Sequence, residues 1–130
     1  MERYLFNLAI ENQVYDDYIT EKLWGALASG TLPIYLGPNN IADHHLPPKS
    51  VIFIRDFKTI DDLADHLTKV SKNKTLYDSY HLWRKKPLPE AFLKKYEFSK
   101  VHSYCRMCQL IYAKRHELDW DPESQTIRNL

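Results

Sequence analysis

Three short apolar segments in the first half of the chain have the pattern of β-strands. Residues 4–10 (YLFNLAI) are apolar at nearly every position, and residues 32–36 and 50–54 are mostly apolar runs of similar length. A segment that is apolar on both faces is typical of a strand buried inside a parallel sheet. The pattern therefore predicts three strands of one parallel sheet.

A helix is predicted directly after the first strand. Thr20 is a suitable N-cap, and Gly30 stands where a glycine commonly ends a helix. Between these two residues, apolar side chains recur at helical spacing at Leu23, Trp24 and Leu27. The segment from Thr20 to Gly30 thus connects the first two strands through a helix.

The most regular helical pattern follows the third strand. Thr59 and Asp62 have the spacing of a capping box, and lysines stand in the last turn. Further helices are predicted over residues 76–83 and 101–118. The alternation of strands and helices predicts an α/β domain with a mostly parallel sheet. The apolar positions that define the first of these helices are Ile60, Leu63, Ala64, Leu67 and Val70.

Composition excludes several classes of protein. The 130 residues suffice for one domain with a core, and the net charge of +1 arises from 18 basic and 17 acidic side chains without a long block of one sign. A nucleic-acid-binding surface is therefore not indicated. No apolar run approaches the roughly 20 residues of a membrane helix, and the N-terminal segment lacks the layout of a signal peptide. We expect any targeting signal either to lie outside this chain or not to exist, and the early start of the first strand suggests a fragment.

Charged and polar side chains crowd the junction between the first strand and the first helix. Glu11 and Asn12 lie at the strand end, and Glu21 and Lys22 lie in the first turn of the helix. In open α/β sheets, ligands bind beyond the carboxyl ends of the strands, where a helix start presents backbone N–H groups to an anion. The helix dipole disfavours a lysine there unless a bound phosphate pairs with it. The junction is therefore either an anion site or a set of solvated first-turn residues.

Several motifs in order resemble one known family. The segment IENQVYDDYITEKLWGALASGTLPIYLG closely resembles the donor-binding segment of the α-1,3-fucosyltransferases of glycosyltransferase family 10. The segment LPPKSVIFIRDFKTIDDLADHL is similar to downstream elements of that family, and HSYCRMC is similar to the cysteine motif of its core-fucosylating plant and invertebrate type. The resemblance covers most of residues 4–108.

The resemblance implies a fold and a set of donor contacts. It implies the Rossmann-like C-terminal half of a GT-B glycosyltransferase, which binds GDP-fucose and transfers fucose with inversion. By position, Asn12, Tyr18, Glu21 and Lys22 would contact the donor: Lys22 would neutralise the leaving diphosphate, and Glu21 and Asn12 would bind sugar hydroxyls. No metal or other cofactor is expected, since these donor contacts would replace a metal.

The match departs from the family pattern at two positions, where Ile10 replaces a phenylalanine and Gln13 replaces a serine. In the family, the general base and an arginine that holds the diphosphate lie before this segment. We therefore expect only the donor-binding part here, with residues 1–100 as a partial Rossmann-like domain, 101–118 as a C-terminal helix and 119–130 as a flexible tail. Alternatives are a non-catalytic nucleotide-sugar-binding module of the same origin and a small redox or zinc protein.

Three side chains raise questions of covalent chemistry. Cys105 and Cys108 fit a redox pair, half a zinc site completed by His102 and His116, buried thiols, or disulfide partners. The resemblance implies disulfides with cysteines upstream in a longer enzyme. Asn73 begins an N-glycosylation sequon at a predicted helix end. By resemblance alone, the parent enzyme would be anchored in the Golgi membrane and would act on a glycan acceptor, namely an N-glycan.

Two aromatic groups have a structural and a functional interpretation. Tyr77, Tyr80 and Trp83 recur at helical spacing, which favours packing over sugar stacking. His44 and His45 follow the second strand, where they would contact a ligand or, as we expect, be solvated loop residues.

Overall fold

A parallel sheet organises the first of two units into which the chain divides, the first ending at Leu88 and the second beginning at Pro89. The structure is a computed structural model and describes residues 4–99, 103–121 and 126–128. The strands of the first unit are β1 (Phe6–Ile10), β2 (Leu32–Leu36) and β3 (Ile52–Phe53), in the order β1-β2-β3.

Both strand pairs are parallel, which confirms the prediction from the sequence. Ile34 of β2 lies opposite Leu8 of β1 on one side and opposite Ile52 of β3 on the other. β3 is shorter than the predicted segment 50–54 because the chain turns into a 3₁₀ helix at Ile54–Asp56. The three carboxyl ends therefore open at one edge of the sheet.

β1 differs from the prediction of a strand buried on both faces. It lies at the edge of the sheet in the described part of the chain, and its Leu8 side chain is 65% exposed. Phe6, two residues earlier on the same face, packs against a buried cluster around Val70. Covering residues thus reach only the beginning of this face of β1 and leave Leu8 and Ile10 exposed.

Helix α1 (Glu21–Ala28) covers the other face of the sheet. Thr20 caps its start, with its side chain accepting a hydrogen bond from the Lys22 N–H group, and Gly30 follows its end with a φ of +84°. That φ lies in the left-handed region, where glycine carries no penalty. Both ends of the helix are therefore as the sequence predicts. Its buried residues pack with strand residues in one core cluster: Leu23, Ala26 and Leu27 with Ala9, Tyr35 and Val51.

Helices α2 (Ile60–Lys72) and α3 (Lys74–Ser79) carry the residues that cover the second face. The predicted capping box of Thr59 and Asp62 is present in both directions. The predicted helix over 76–83 is instead split, since α3 ends at Ser79 and Trp83 lies in a 3₁₀ helix at Leu82–Lys85. The three aromatic residues of that segment are partly buried and pack against the two core clusters, as their spacing favours: Tyr77, Tyr80 and Trp83.

The second unit contains two helices and a short antiparallel ribbon. Phe92 and Ala113 are its buried apolar residues in the described part of the chain. The unit starts after Leu88, and its ribbon pairs residues 120–121 with residues 126–127. The boundary near residue 100 and the flexible tail from residue 119 stay predictions. No described helix has the length and apolar character needed to cross a membrane. The elements of the second unit are α4 (Glu90–Ser99), α5 (Ser103–Arg115), β4 (Trp120–Asp121) and β5 (Thr126–Ile127).

Candidate functional site

A buried carboxylate lies at the carboxyl end of β1. The backbone N–H of Glu11 donates to the carbonyl oxygen of Leu36 at 2.8 Å, which extends the β1–β2 pairing by one residue. The Glu11 side chain is fully buried. Its Oε1 accepts a hydrogen bond from the Thr20 N–H at 2.8 Å, and its Oε2 accepts one from the Thr20 hydroxyl at 2.6 Å. Glu11 therefore ties the end of β1 to the start of α1.

Two further side chains complete the surroundings of this carboxylate. The buried hydroxyl of Tyr35 donates to Glu11 Oε1 at 3.2 Å, and Lys22 Nζ lies 3.7 Å from Glu11 Oε2. Burial raises the pKa of the Tyr35 phenol far above its usual range; Glu11 raises it further, while Arg55 lowers it. Tyr35 consequently stays protonated and remains a hydrogen-bond donor to Glu11.

Gly37 provides the space that the Tyr35 phenol occupies. A Cβ atom added to Gly37 would lie 2.7 Å from Tyr35 Cε1 and closer still to Cζ and the phenol oxygen. The Gly37 carbonyl accepts a hydrogen bond from the Arg55 guanidinium, which also donates to Asn39 Oδ1 at 3.1 Å. Arg55 follows β3, so it links the residues after β3 to the loop that leaves β2.

A second polar group joins the loops that follow β1 and β2. The Asp17 N–H donates to Asn40 Oδ1 at 3.0 Å, and Asn40 Nδ2 donates to Asp17 Oδ1 at 3.0 Å. His44 Nε2 lies 3.0 Å from the same Asp17 oxygen, and the His44 side chain is only 13% exposed. The interpretation of His44 as a solvated loop residue is therefore wrong, because Asp17 contacts it, whereas the neighbouring His45 is exposed.

The structure places the four predicted donor residues along this edge of the sheet. Lys22 is joined to Glu11 and keeps about a third of its side chain exposed, at 32%. Asn12 is exposed directly after Glu11, Glu21 is the exposed first residue of α1, and Tyr18 is half-buried in the connecting loop. That these residues bind one ligand stays a prediction.

Sequence reasoning noted Glu11 at the strand end but did not assign it a role. The sequence feature that could have pointed to Glu11 is an acidic residue directly after an apolar strand. A charge buried at such a position is costly unless other groups form hydrogen bonds or ion pairs with it. Those partners could not be identified from the sequence, since Thr20 and Tyr35 lie 9 and 24 residues away.

The other predicted site residues come later in the sequence than the residues at this edge of the sheet. Cys105 and Cys108 are exposed on α5 and are free thiols in the structure. Asn73 caps α3, since its Oδ1 accepts a hydrogen bond from the Leu76 N–H at 3.0 Å. His102, which the zinc alternative requires, lies outside the described residues. Within the described residues, no group of three or more potential metal ligands is present.

The arrangement combines the features of an anion site. A lysine stands in the first turn of α1, whose N-terminal backbone amides and dipole favour negative charge. The helix starts at the carboxyl edge of a parallel sheet, where ligands of α/β folds bind. Glu11 neutralises part of the Lys22 charge in the absence of a ligand. Chemically, this edge of the sheet is suited to hold a phosphate-containing group.

A comparison with known protein families shows which family model the chain matches. The family model described as glycosyltransferase family 10 (fucosyltransferase), C-terminal part, matches residues 1–129. The match extends over nearly the whole chain and gives no support to a small redox or zinc protein.

Curated relatives are fucosyltransferases from animals and plants. The chain is 34% identical to the 3-galactosyl-N-acetylglucosaminide 4-alpha-L-fucosyltransferase of Bos taurus, over all of this chain and 33% of that protein. It is 39% identical to the alpha-(1,4)-fucosyltransferase of Arabidopsis thaliana, over 85% of this chain and 27% of that protein. The chain thus spans about a third or less of these relatives.

Solved structures give the same result for the fold. A crystal structure of an alpha1,3-fucosyltransferase with GDP-fucose superimposes with a TM-score of 0.56 and 35% identity, covering 62% of this chain and 23% of that one. The structure with GDP gives the same values. The predicted α/β fold, a Rossmann-like C-terminal part of a GT-B glycosyltransferase, is thereby confirmed.

Proposed function

The chain belongs to glycosyltransferase family 10, the fucosyltransferases, and on that premise we propose that it forms the GDP-fucose-binding part of an inverting α-1,3-fucosyltransferase. The observation that carries the proposal is the position of Lys22. It lies in the first turn of α1 at the carboxyl edge of the parallel sheet, partly exposed and 3.7 Å from the buried Glu11. A diphosphate bound beside Lys22 would offset the unfavourable interaction between this lysine and the helix dipole.

The proposed roles of the donor residues follow from their chemistry. Lys22 pairs with the diphosphate and stabilises the negative charge that develops on GDP as it leaves. Glu21 and Asn12 form hydrogen bonds to sugar hydroxyls, and Tyr18 contacts the donor from the connecting loop. No metal or other cofactor is required in this scheme, because a cation and the helix start meet the phosphate charge.

Transfer also requires a base that removes the proton of the acceptor hydroxyl. We place that base outside this chain, in the part of the enzyme that precedes the matched segment in the family. The acceptor is a glycan, which we take to be an N-glycan, and the parent enzyme is a membrane-anchored Golgi protein. The chain alone is then expected to bind donor weakly and to transfer no fucose.

A second candidate is a non-catalytic nucleotide-sugar-binding module of the same origin. The chain spans about a third or less of the curated relatives, and both candidates are compatible with that coverage. The two candidates differ in activity but share the donor site. Fucose transfer by the full-length protein, and not by residues 1–130 alone, would select the enzyme.

The donor site itself is tested by calorimetry on the full-length protein. Lys22→Ala removes a charge-assisted contact worth about 1.5–3 kcal/mol, so GDP should bind roughly 10- to 150-fold more weakly. Lys69→Ala is the matched control, since it removes an equal charge from the exposed surface of α2. Equal GDP affinity in the wild type and Lys22→Ala would refute the assignment.

The test for activity uses GDP-fucose and a core N-glycan acceptor. We expect turnover by the full-length protein and none by residues 1–130, after circular dichroism has established that the fragment is folded. Turnover by the folded fragment would place the base within this sequence and would contradict the two-part scheme.

A further inference from the structure

We propose that Glu11 is a positioning residue of the donor site, which fixes the start of α1 and holds Lys22 toward the donor diphosphate without touching the donor itself. The proposal rests on the proposed function of Lys22. It adds a residue that neither the sequence nor the family comparison assigns. The structural basis is the set of contacts that surround one buried carboxylate.

Glu11 receives hydrogen bonds from two different elements. Thr20, the N-cap of α1, donates both its backbone N–H and its hydroxyl, at 2.8 and 2.6 Å, and Tyr35 of β2 donates at 3.2 Å. A buried carboxylate is costly unless such partners satisfy it, so loss of the partners would force a rearrangement. The position of the first turn of α1 relative to β1 and β2 is therefore set through Glu11.

The contact with Lys22 is of a different kind. At 3.7 Å, Lys22 Nζ is within ion-pair distance of Glu11 Oε2 but beyond hydrogen-bond distance. The attraction holds the ammonium group near the helix start, while its N–H donors are not used by Glu11. Because the Lys22 side chain is 32% exposed, an anion from solvent can reach it.

Neutralising Glu11 should change the GDP affinity in opposite directions depending on whether Glu11 acts by its charge or by positioning. A carboxylate near a phosphate site repels the ligand, so neutralising Glu11 without any change in geometry would strengthen GDP binding. If Glu11 acts by positioning, neutralisation weakens GDP binding instead. Glu11→Gln keeps the size of the side chain, but its amide N–H₂ replaces an acceptor that faces Thr20 and Lys22.

The first experiment is a double-mutant cycle on GDP affinity in the full-length protein. We expect Glu11→Gln to weaken GDP binding by about tenfold and to leave guanosine, which lacks phosphate, unaffected. In a Lys22→Ala background, Glu11→Gln should cost little more, because the group that it positions is gone. Asp65→Asn on the exposed surface of α2 is the control for loss of one negative charge.

The outcomes separate positioning from other roles. Unchanged or tighter GDP binding by Glu11→Gln, or losses that add fully to those of Lys22→Ala, would overturn the proposal. Equal losses for GDP and guanosine would indicate general damage to the fold and would overturn it as well. If Glu11→Gln fails to fold, Tyr35→Phe is the second variant, since it removes one hydrogen bond to Glu11. It should weaken the binding of GDP by two- to threefold and leave the binding of guanosine unchanged.

A second measurement does not depend on the nucleotide. Hydrogen exchange of the Thr20 amide, which donates to Glu11, should become faster in Glu11→Gln, while amides of β2 keep their protection. Failure of the wild type to bind GDP would refute the proposed function and the donor role of Glu11 together. Unchanged exchange at Thr20 in a protein that binds GDP would refute the positioning alone.

Discussion

Replacement of Gly37 by alanine tests the contact between Tyr35 and Glu11 from its opposite side. The added Cβ atom would lie 2.7 Å from Tyr35 Cε1 and nearer to two other phenol atoms, a separation that real Cβ atoms do not show. Tyr35 is 1% exposed and cannot swing into solvent. Either the loop after β2 shifts or the Tyr35 hydroxyl leaves Glu11.

The magnitude follows from two contributions. Overpacking of a buried site costs about 1–3 kcal/mol, and loss of the hydrogen bond between Tyr35 and Glu11 adds about 0.5–1.5 kcal/mol. Their sum, about 1.5–4.5 kcal/mol, is a large share of the roughly 5–15 kcal/mol that stabilises a typical domain. Gly37→Ala should therefore lower the free energy of unfolding substantially.

The assay is urea unfolding followed by circular dichroism, with Gly25→Ala as the matched control. Gly25 lies inside α1, and apart from its chain neighbours and the nearby backbone of the helix no atom lies within 4 Å of an added Cβ. Alanine there should therefore stabilise the protein by about 0.5–1 kcal/mol. The same substitution thus has opposite expected signs at two glycines. A Gly37→Ala variant as stable as the wild type would refute the reasoning about the Tyr35 contact.

Two further predictions concern α2 and the half-buried His81. Thr59→Ala removes the capping box and should lower the free energy of unfolding by about 0.5–2 kcal/mol, as measured by thermal unfolding. Thr68→Ala on the exposed surface of the same helix is the control and should not change it measurably. Equal effects of the two substitutions would contradict the capping. Burial, with help from Arg84, lowers the pKa of His81 below its unfolded value of about 6.5. The unfolded state then binds the proton more readily, so stability should fall as pH decreases through 6.5, and His81→Gln should flatten this dependence.

Local patterns predicted those features that are set by neighbouring residues. The caps at Thr20 and Thr59, the glycine after α1 and the parallel strands all depend on contacts within a few residues or on the apolar period, and all are present. The exposure of Leu8 could not be predicted in this way, because an apolar face is buried only where another element covers it.

The candidate site shows the same division. Lys22 could be proposed as a donor residue from its position at a helix start and from family resemblance, since both are encoded in a short segment. Glu11 and His44 could not be assigned, because the partners that define their roles lie beyond the segments in which they stand. The apolar periodicity of the sequence contains no information about which distant side chain forms a hydrogen bond with a buried carboxylate.

The open edge of β1 has a consequence for work with this chain in solution. β1 pairs with β2 on one side only in the described part of the sheet, and Leu8 and Ile10 are exposed beside that edge. An uncovered strand edge with apolar side chains is a template on which another chain can add a strand. Copies of the chain should therefore associate at the concentrations used for spectroscopy or crystallisation, and dilution will determine whether a measurement reports a single molecule.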